Sequence, residues 1–531
     1  MYLFLLSSFA IAAVYSWRRL RKAGVNALPP GPKPLPLLGN IFDLPTNGEP
    51  EFQHWLKHKD QYGPISSVTV LGQAVIILHD RQAAMDILDK TATKSSGRPG
   101  FAFAAMCGFN KWITFMQHDS TWREQRKAVH QQLGTKKTAS QFNDVQDLET
   151  RRLLVRLKKD PQGFFQHIRS LSREAAAIIL RVTYGYAINP READPLMLLI
   201  DTMMDNFSKV FVPAFWVVDS IPSLRFLPSW LPGMGFKTTA ADWLRINHQV
   251  NDVPYSFVQQ QMQKGTHRPS YVSRQIEEST RDGTSGMDRD VEETIKWTAS
   301  IMYAAGSDTT TAVISGFVQA MVMFPDVQAK AQDEIDRVVG SSRLPEPQDE
   351  DQLPYVSAVV KEALRWCPVT PAGVSHVNDE EIEYAGFTIP KGSIIMPATW
   401  WFQNDPQVHA NPSAFEPERF LAPRHEPDPA QTVFGHGRRV CPGRFLAELS
   451  LFLTISRILA VLNVRKAVDK SGLPIDAKLQ FQPGMIARPA EFSFDITARS
   501  PSHAKLVEDI ASLLPKEAGD DTLLDFGSPV K

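Results

Sequence analysis

Cysteine is scarce in this chain: Cys107, Cys367 and Cys441 are the only three in 531 residues. They cannot build a disulfide framework or a CxxC zinc pair, which fits a reducing compartment. A charge excess is missing as well. The 57 Lys and Arg nearly balance the 58 Asp and Glu, for a formal charge of -1, so the basic footprint of a nucleic-acid binder is absent. The first 17 residues, MYLFLLSSFAIAAVYSW, hold no charged side chain. At 1.5 Å per residue such a run reaches about 25 Å, a short but usable membrane span. Arg18, Arg19, Arg21 and Lys22 follow it. That charge order puts the body of the chain on the cytosolic side. A cleaved signal peptide would carry its basic residues first and want a small-residue cleavage site.

The strongest positive signal is residues 434–443, FGHGRRVCPG. Gly435, Gly437, Gly443 and Pro442 crowd around Cys441, and glycine lets backbone turn tightly and approach a flat ligand. RFLAELSLFLTISRILAVL follows, apolar and long enough for a buried helix. Cys441 is therefore expected at a helix N-terminus, where the dipole and Arg438, Arg439 and Arg444 favour thiolate. A lone thiolate suits attack on a substrate or ligation of one soft metal site. A hydrolase would need a partner histidine and an orienting group, and no signature of one is present. A buried structural cysteine in a glycine-rich turn is the plain alternative.

The spacing Phe-x-x-Gly-x-Arg-x-Cys-x-Gly, carried by Phe434, Gly437, Arg439, Cys441 and Gly443, resembles the haem-binding loop of the cytochrome P-450 family. The resemblance implies haem b with Cys441 as axial thiolate. It also implies a mainly α fold with a small β part. Within TWREQRKAVHQQL, Trp122 and Arg126 are four apart and share a helix face. Indole N–H and guanidinium suit a carboxylate, and the pair is similar to the family's propionate contacts. A stacked surface pair would look the same.

Residues 290–324 read as one long helix, with Asp290 and Glu293 as a capping pair. Its middle, AAGSDTTTA over 304–312, is a poor choice for a purely structural helix, because Gly, Ser, Asp and Thr all lower helix propensity. Gly306 would let a ligand lie against the backbone. Thr309 offers a hydroxyl and Asp308 a carboxylate able to pass protons. The run is similar to the family's Ala/Gly-Gly-x-Asp/Glu-Thr motif, which implies proton supply for dioxygen activation. A helix kink, with hydroxyls bonded back to i-4 carbonyls, is compatible with either reading.

Glu362 and Arg365, three apart, resemble the family's Glu-x-x-Arg, and Pro417, Glu418, Arg419 and Phe420 its Pro-Glu-Arg-Phe segment. The resemblance implies a structural cluster of Glu362, Arg365 and Arg419 behind the haem. PVTPAGVSH, residues 368–376, takes the place of the family's substrate-bordering strand. His376 there stands for the basic residue that reaches a propionate, or is a satisfied structural histidine.

Other stretches set the organisation. Five prolines over 28–40 suggest a stiff linker, and ISSVTVLGQAVIILH over 65–79 a hairpin around Leu71-Gly72. Residues 101–116 look like a loop. EYAGFTIPKGS, 383–393, reads as a hairpin turning at Pro390-Lys391-Gly392. QPGMIARPAEFSFDITAR suggests a further strand pair, with 484–486 at a tip. Beyond about Ser500 the polar composition suggests a frayed tail. The expected division is an anchor over 1–17, a linker over 18–45, one haem-thiolate domain over 46–500 and a tail over 501–531.

The resemblance implies a monooxygenase of the filamentous-fungal secondary-metabolism kind, acting with dioxygen on a small lipophilic molecule. No region for FAD, FMN or NADPH is evident, so electrons come from outside. A membrane-bound NADPH reductase is the implied donor, with cytochrome b5 as an optional second one. Arg123, Lys127, Arg438 and Arg444 are candidates for the docking face, or scattered surface charge. A single-pass anchor in the endoplasmic reticulum with a cytosolic domain follows. A haem-thiolate isomerase or dehydratase is disfavoured by Thr309 with Asp308, and a haem sensor by the long helix that carries them.

Overall fold

The computed structural model describes residues 28–45, 49–159, 164–189, 193–211, 215–280, 287–482 and 484–526. The apolar run 1–17 and its basic flank lie outside the described residues. The main helices, in chain order, are α1 (Glu51–Tyr62), α2 (Ala102–Met106), α3 (Ser120–Leu133), α4 (Asn143–Lys159), α5 (Phe164–Tyr184) and α6 (Pro195–Val210). They continue with α7 (Phe236–Gln263), α8 (Tyr271–Thr280), α9 (Arg289–Met323), α10 (Pro325–Val338) and α11 (Pro354–Trp366). The last two are α12 (Arg444–Val461) and α13 (Pro501–Leu513).

The architecture is built around α9. Its 35 residues give about 52 Å of rise, enough to cross the whole domain. The cap differs from the expected pair. Asp288 accepts the N–H of Asp290 at 2.8 Å, while Glu293 is turned to the indole of Trp297 at 3.0 Å. Pro325, which cannot continue the helix, starts α10 at 105° to α9. Among the described residues no single helix is long and apolar enough to cross a membrane; this bent pair passes only on length and composition.

Two large apolar cores flank the middle of α9. Ile295 to Ala304 belong to the first, with the 101–113 segment, α6 and α7. Val313 to Val322 belong to the second, with α10, α11 and most of α12. Residues 305–312 belong to neither. Polar and small side chains there cannot join either apolar mass, and the cores part around them. Helices α5 and α12 also contribute to both cores.

The β part is small. Strands β1 (Ile65–Val70) and β2 (Gln73–Leu78) form the expected hairpin, Ile65 opposite Leu78, with Leu71 and Gly72 at positive φ in the turn. The sheet order is β1-β2-β6-β3, where β3 is His376–Val377 and β6 is Ile394–Pro397. Of residues 368–376, only His376 is in a strand. The hairpin of β4 (Ile382–Tyr384) and β5 (Phe387–Ile389) turns at Ala385-Gly386, not at 390–392. Both sites offer a glycine at positive φ, and the second leads on to β6. The expected pairing about 484–486 is present as an antiparallel bridge between Phe481 and Pro489, while strand β8 (Phe494–Ala498) pairs with β7 (Leu462–Lys466).

Two further expectations change. The proline segment is laid along β1 instead of standing free: Ser67 N–H donates to Pro30 O at 2.9 Å and Thr69 N–H to Asn40 Oδ1 at 2.9 Å. A Cβ on Gly31 would sit 1.8 Å from the Ser67 carbonyl oxygen, so only glycine permits that approach. The region beyond Ser500 is not frayed. Ser500 caps α13 by accepting the His503 N–H, and Val507 and Ile510 are buried in the second core.

Candidate active site

Cys441 is solvent-accessible although protein surrounds it on every side, the mark of a group lining an internal hollow. Ala305 is exposed in the middle of a helix buried before and after it. Thr309 lies one turn further along the same face. Two accessible features thus stand out beside the apolar cores, the Cys441 sulfur and the small-residue face of α9.

The loop carrying Cys441 is held by backbone. Its N–H donates to Phe434 O at 2.8 Å, and the Phe434 ring lies 5.7 Å from the Arg444 guanidinium. Gly437 is at φ +54° and a Cβ there would be 2.3 Å from Leu88 O. Its N–H donates to Asp89 Oδ1 at 2.5 Å, and His436 Nδ1 is 3.2 Å from Asp89 Oδ2. Gly443 is the N-cap of α12, and its N–H is hydrogen-bonded to the Cys441 sulfur.

The thiol's electrostatics differ from expectation. Burial comes first and pushes the Cys441 pKa up, while the Gly443 N–H, Arg126 and Arg444 oppose it. Arg438 and Arg439 are not among these groups. Arg438 points to His118, Nη1 to Nε2 at 3.3 Å. Arg439 spends its guanidinium on the carbonyls of Ser96, Ile113 and Met116 at 2.8, 3.0 and 2.7 Å. It ties the 96–116 segment to the cysteine loop. A metal bound to the sulfur would supply the remaining stabilisation of thiolate, since a coordinating thiol loses its proton.

The two members of the expected Trp122–Arg126 pair behave differently. The Trp122 N–H donates to Ile113 O at 3.1 Å, and its ring packs 4.6 Å from the Arg439 guanidinium. It is not free for a carboxylate. Arg126 is half-buried and has no hydrogen-bond or ion-pair partner among the described residues; burial lowers its pKa and Cys441 opposes that. His376 is corrected as well. It is buried, and its Nδ1 donates to Ser95 O at 2.7 Å. Burial first, then Arg98, holds it well below the ordinary histidine pKa. Its other nitrogen is then an acceptor, which cannot donate to a carboxylate.

Beside His376 lies a charged residue not anticipated from the sequence. Arg98 is buried and donates through Nε and Nη1 to the carbonyls of Thr114, Val374 and Ser375. Burial and Arg439 both lower its pKa, and Arg439 is itself held down to about 10 by burial and then Arg126. Arg439 thus disfavours the charge of Arg98, and Arg126 that of Arg439, an arrangement suited to carboxylates. Its only sequence signal was an arginine pinned between Gly97 and Pro99. Accessible sulfur, an uncovered helix face and unneutralised guanidinium groups together fit a flat, dianionic, metal-centred cofactor.

On α9, Thr309 Oγ1 donates to Ala305 O at 2.6 Å and Thr311 Oγ1 to Ser307 O at 2.9 Å. The hydroxyls bond back without breaking the helix, and the Thr309 oxygen still offers lone pairs to the hollow. Gly306 does not open onto it. A Cβ there would meet Ile179 Cγ1 of α5 at 2.8 Å, so this glycine serves helix packing. Asp308 is ion-paired to Arg488, which sequence reading also missed. Beside the site, Phe115 stacks on Phe211 at a centroid distance of 4.3 Å, and Phe101 meets Phe211 edge-on at 5.4 Å. No group of three or more His, Cys, Asp and Glu side chains able to hold a metal ion occurs among the described residues.

Behind the cysteine loop, Glu362 receives Arg365 Nε at 2.7 Å and Arg419 Nε at 3.0 Å, all three side chains fully buried.

Comparison with known proteins agrees across the chain. The family model described as Cytochrome P450 matches residues 29–494. Multifunctional cytochrome P450 monooxygenase af510 of Aspergillus fumigatus is 44% identical over 518 residues, 97% of this chain and 96% of that one. Cytochrome P450 monooxygenase CLM2 of Gibberella zeae is 44% identical over 502 residues, 94% of each chain. O-methylsterigmatocystin oxidoreductase of Aspergillus flavus is 36% identical over 498 residues, 93% of this chain and 92% of that one.

Proposed function

From the premise that this chain belongs to the cytochrome P450 family and is a haem-thiolate monooxygenase, we propose which of its residues do the work and on what. The Cys441 sulfur would hold the haem iron. Arg126 and Arg98 would hold the haem carboxylates, and Arg439 braces the loops that carry them. Bound there, haem supplies the activation of dioxygen and the transfer of one oxygen atom to a C–H or C=C bond, the other leaving as water.

The chain's own residues orient, exclude water and move protons. The Gly443 N–H holds the sulfur toward the hollow. Thr309 accepts a proton-bearing water at its hydroxyl oxygen, and Asp308 brings protons to that water from outside. The substrate is a small lipophilic molecule of the secondary-metabolite kind. The Phe101, Phe115 and Phe211 rings support that reading, since aromatic side chains offer large apolar contact. So do the relatives' printed activities, which include oxidation of O-methylsterigmatocystin.

Electrons come from a membrane-bound NADPH reductase, with cytochrome b5 as a second donor. Arg123, Lys127, Arg438 and Arg444 are the docking candidates. We assign residues 1–17 to a single-pass anchor of the endoplasmic reticulum on their charge order.

The observation that carries the reading is an accessible Cys441 sulfur together with the uncovered Ala305–Thr309 face of α9. The purified chain, reduced under carbon monoxide, is expected to show the red-shifted band of sulfur ligation, and Cys441→Ala to lose it. A native protein without that band overturns the assignment. Labelled dioxygen is expected to leave label in the product; its absence would favour isomerase chemistry.

A further inference from the structure

Residues 305–312 of α9 belong to neither apolar core, so apolar packing alone does not set where they stand. The Thr309 and Thr311 hydroxyls bond back within the helix and do not tie it to a neighbour. Contact with α5 is a stop rather than a bond, since Gly306 rests directly on Ile179. The ion pair of Asp308 with Arg488 is partly exposed, and such screened pairs hold position weakly.

The directional contact comes two residues before this segment. Tyr303 is buried, and its hydroxyl donates to Leu196 O in the first turn of α6 at 2.8 Å. At 100° per residue Tyr303 lies about 160° around α9 from Ala305. It therefore holds the helix from behind the Ala305–Thr309 face. Its seat is itself fixed. Asp194, buried at the N-cap of α6, accepts the Leu196 N–H at 2.9 Å, the Tyr186 hydroxyl at 2.8 Å and the Asn189 N–H at 3.1 Å. Burial first, then Asp194, pushes the Tyr303 pKa well above the ordinary tyrosine range, which keeps the hydroxyl a donor.

Tyr184 supplies the contrast. Its ring meets that of Tyr303 edge-on at 6.4 Å, and it is as deeply buried. Its hydroxyl has no hydrogen-bond partner among the described residues. Two neighbouring phenols share one setting, and one of them ties α9 to α6.

We propose that Tyr303 is a positioning residue: its bond to the start of α6 sets where the Ala305–Thr309 face stands in the haem site. Chemistry at that face depends on such placement, since a misplacement of about 1 Å can cost about 100-fold in rate. The inference rests on the haem-thiolate reading given above.

The test uses the holoenzyme with carbon monoxide as the probe. The C–O stretching frequency reports the groups beside the iron, and amide hydrogen exchange over 304–312 reports how firmly the helix is held. Tyr303→Phe keeps the ring and removes the hydroxyl. It is expected to move the stretch and to speed that exchange about fivefold, the loss of one net hydrogen bond. Tyr184→Phe is expected to leave both at native values. Tyr186→Phe, which takes a bond from Asp194, is expected to move the stretch in the same direction by less.

A native stretch in Tyr303→Phe overturns the proposal, even where the melting temperature falls, because the bond would then be purely structural. An equal shift in Tyr184→Phe overturns it too, since loosened packing would account for the effect. Should Tyr303→Phe not fold, Tyr186→Phe decides alone, and a native stretch there counts against the proposal. A native protein without the red-shifted carbon monoxide band would instead overturn the haem-thiolate site itself.

Discussion

Arg126 and Trp122 separate two functions that sequence spacing joined. Arg126→Gln removes an unpartnered charge that the proposed site sets against a haem carboxylate, a contact worth about 1.5–3 kcal/mol. Haem should leave this variant about tenfold faster or more. Trp122→Phe loses only the link to Ile113 O and should retain haem near the native rate. Transfer of haem to apomyoglobin measures both.

Glu174 makes a second case. It is fully buried, accepts Thr454 Oγ1 at 3.1 Å, and has an oxygen without a partner. Burial raises its pKa from 4.5 to about 7, against the Thr454 hydrogen bond and Arg156. The folded state therefore holds a proton that the unfolded chain has released. The stability this contributes is complete below about pH 4.5 and is lost as pH rises to about 7. Glu174→Gln cannot ionise, so its melting temperature should gain on the native protein between pH 5 and 8, by a difference on the order of 3 kcal/mol. A constant gap across that range would refute the buried neutral carboxyl. At this scale the sequence shows residue types and not their partners. The Cys441 loop is local, so its glycines and cysteine were readable. The tautomer of His376 depends on Ser95, and the facing of Gly306 on Ile179, both far away in the chain.

Among the elements, α11 and the 417–420 turn are joined by three buried charges. Arg365 spreads its guanidinium over Glu362 and the carbonyls of Gln403, Pro412 and Ala414. Removing one partner of such a group leaves buried charge and acceptors uncompensated, at a cost of about 3–5 kcal/mol. Arg365→Ala should melt far below the native protein, and Arg365→Lys, lacking the planar fork, should not restore it. A melting point within a degree or two of native would make the cluster ornamental. Element existence was legible where periodicity or composition was strong, as in α9, α11 and α12. The turn between β4 and β5 was not, because two glycine sites six residues apart both satisfy a hairpin and only the pairing of Ile382 with Ile389 chooses.

For the whole molecule, the last described residues act as a strap. Glu517 receives Arg152, Arg181 and Arg268, and Asp520 receives Arg268 and the Ala187 N–H. The pairs are partly exposed, so Glu517→Ala should cost only about 1–3 kcal/mol. Deleting residues 501–531 should cost more, since it also uncovers the second core at Val507 and Ile510. Thermal melting of the two variants ranks them, and equal melting points would show the strap idle. Polar composition hid this segment, whose partners lie hundreds of residues upstream.

The division into two apolar masses also sets how damage propagates. A truncation deep in one mass loosens that mass, and its effect crosses to the other chiefly by way of α5, α9 and α12. Pairs of core lesions drawn from opposite halves should therefore add, whereas pairs meeting on a shared rod should show synergy. A pairwise mutational map of this enzyme would then fall into two blocks stitched together by three helices.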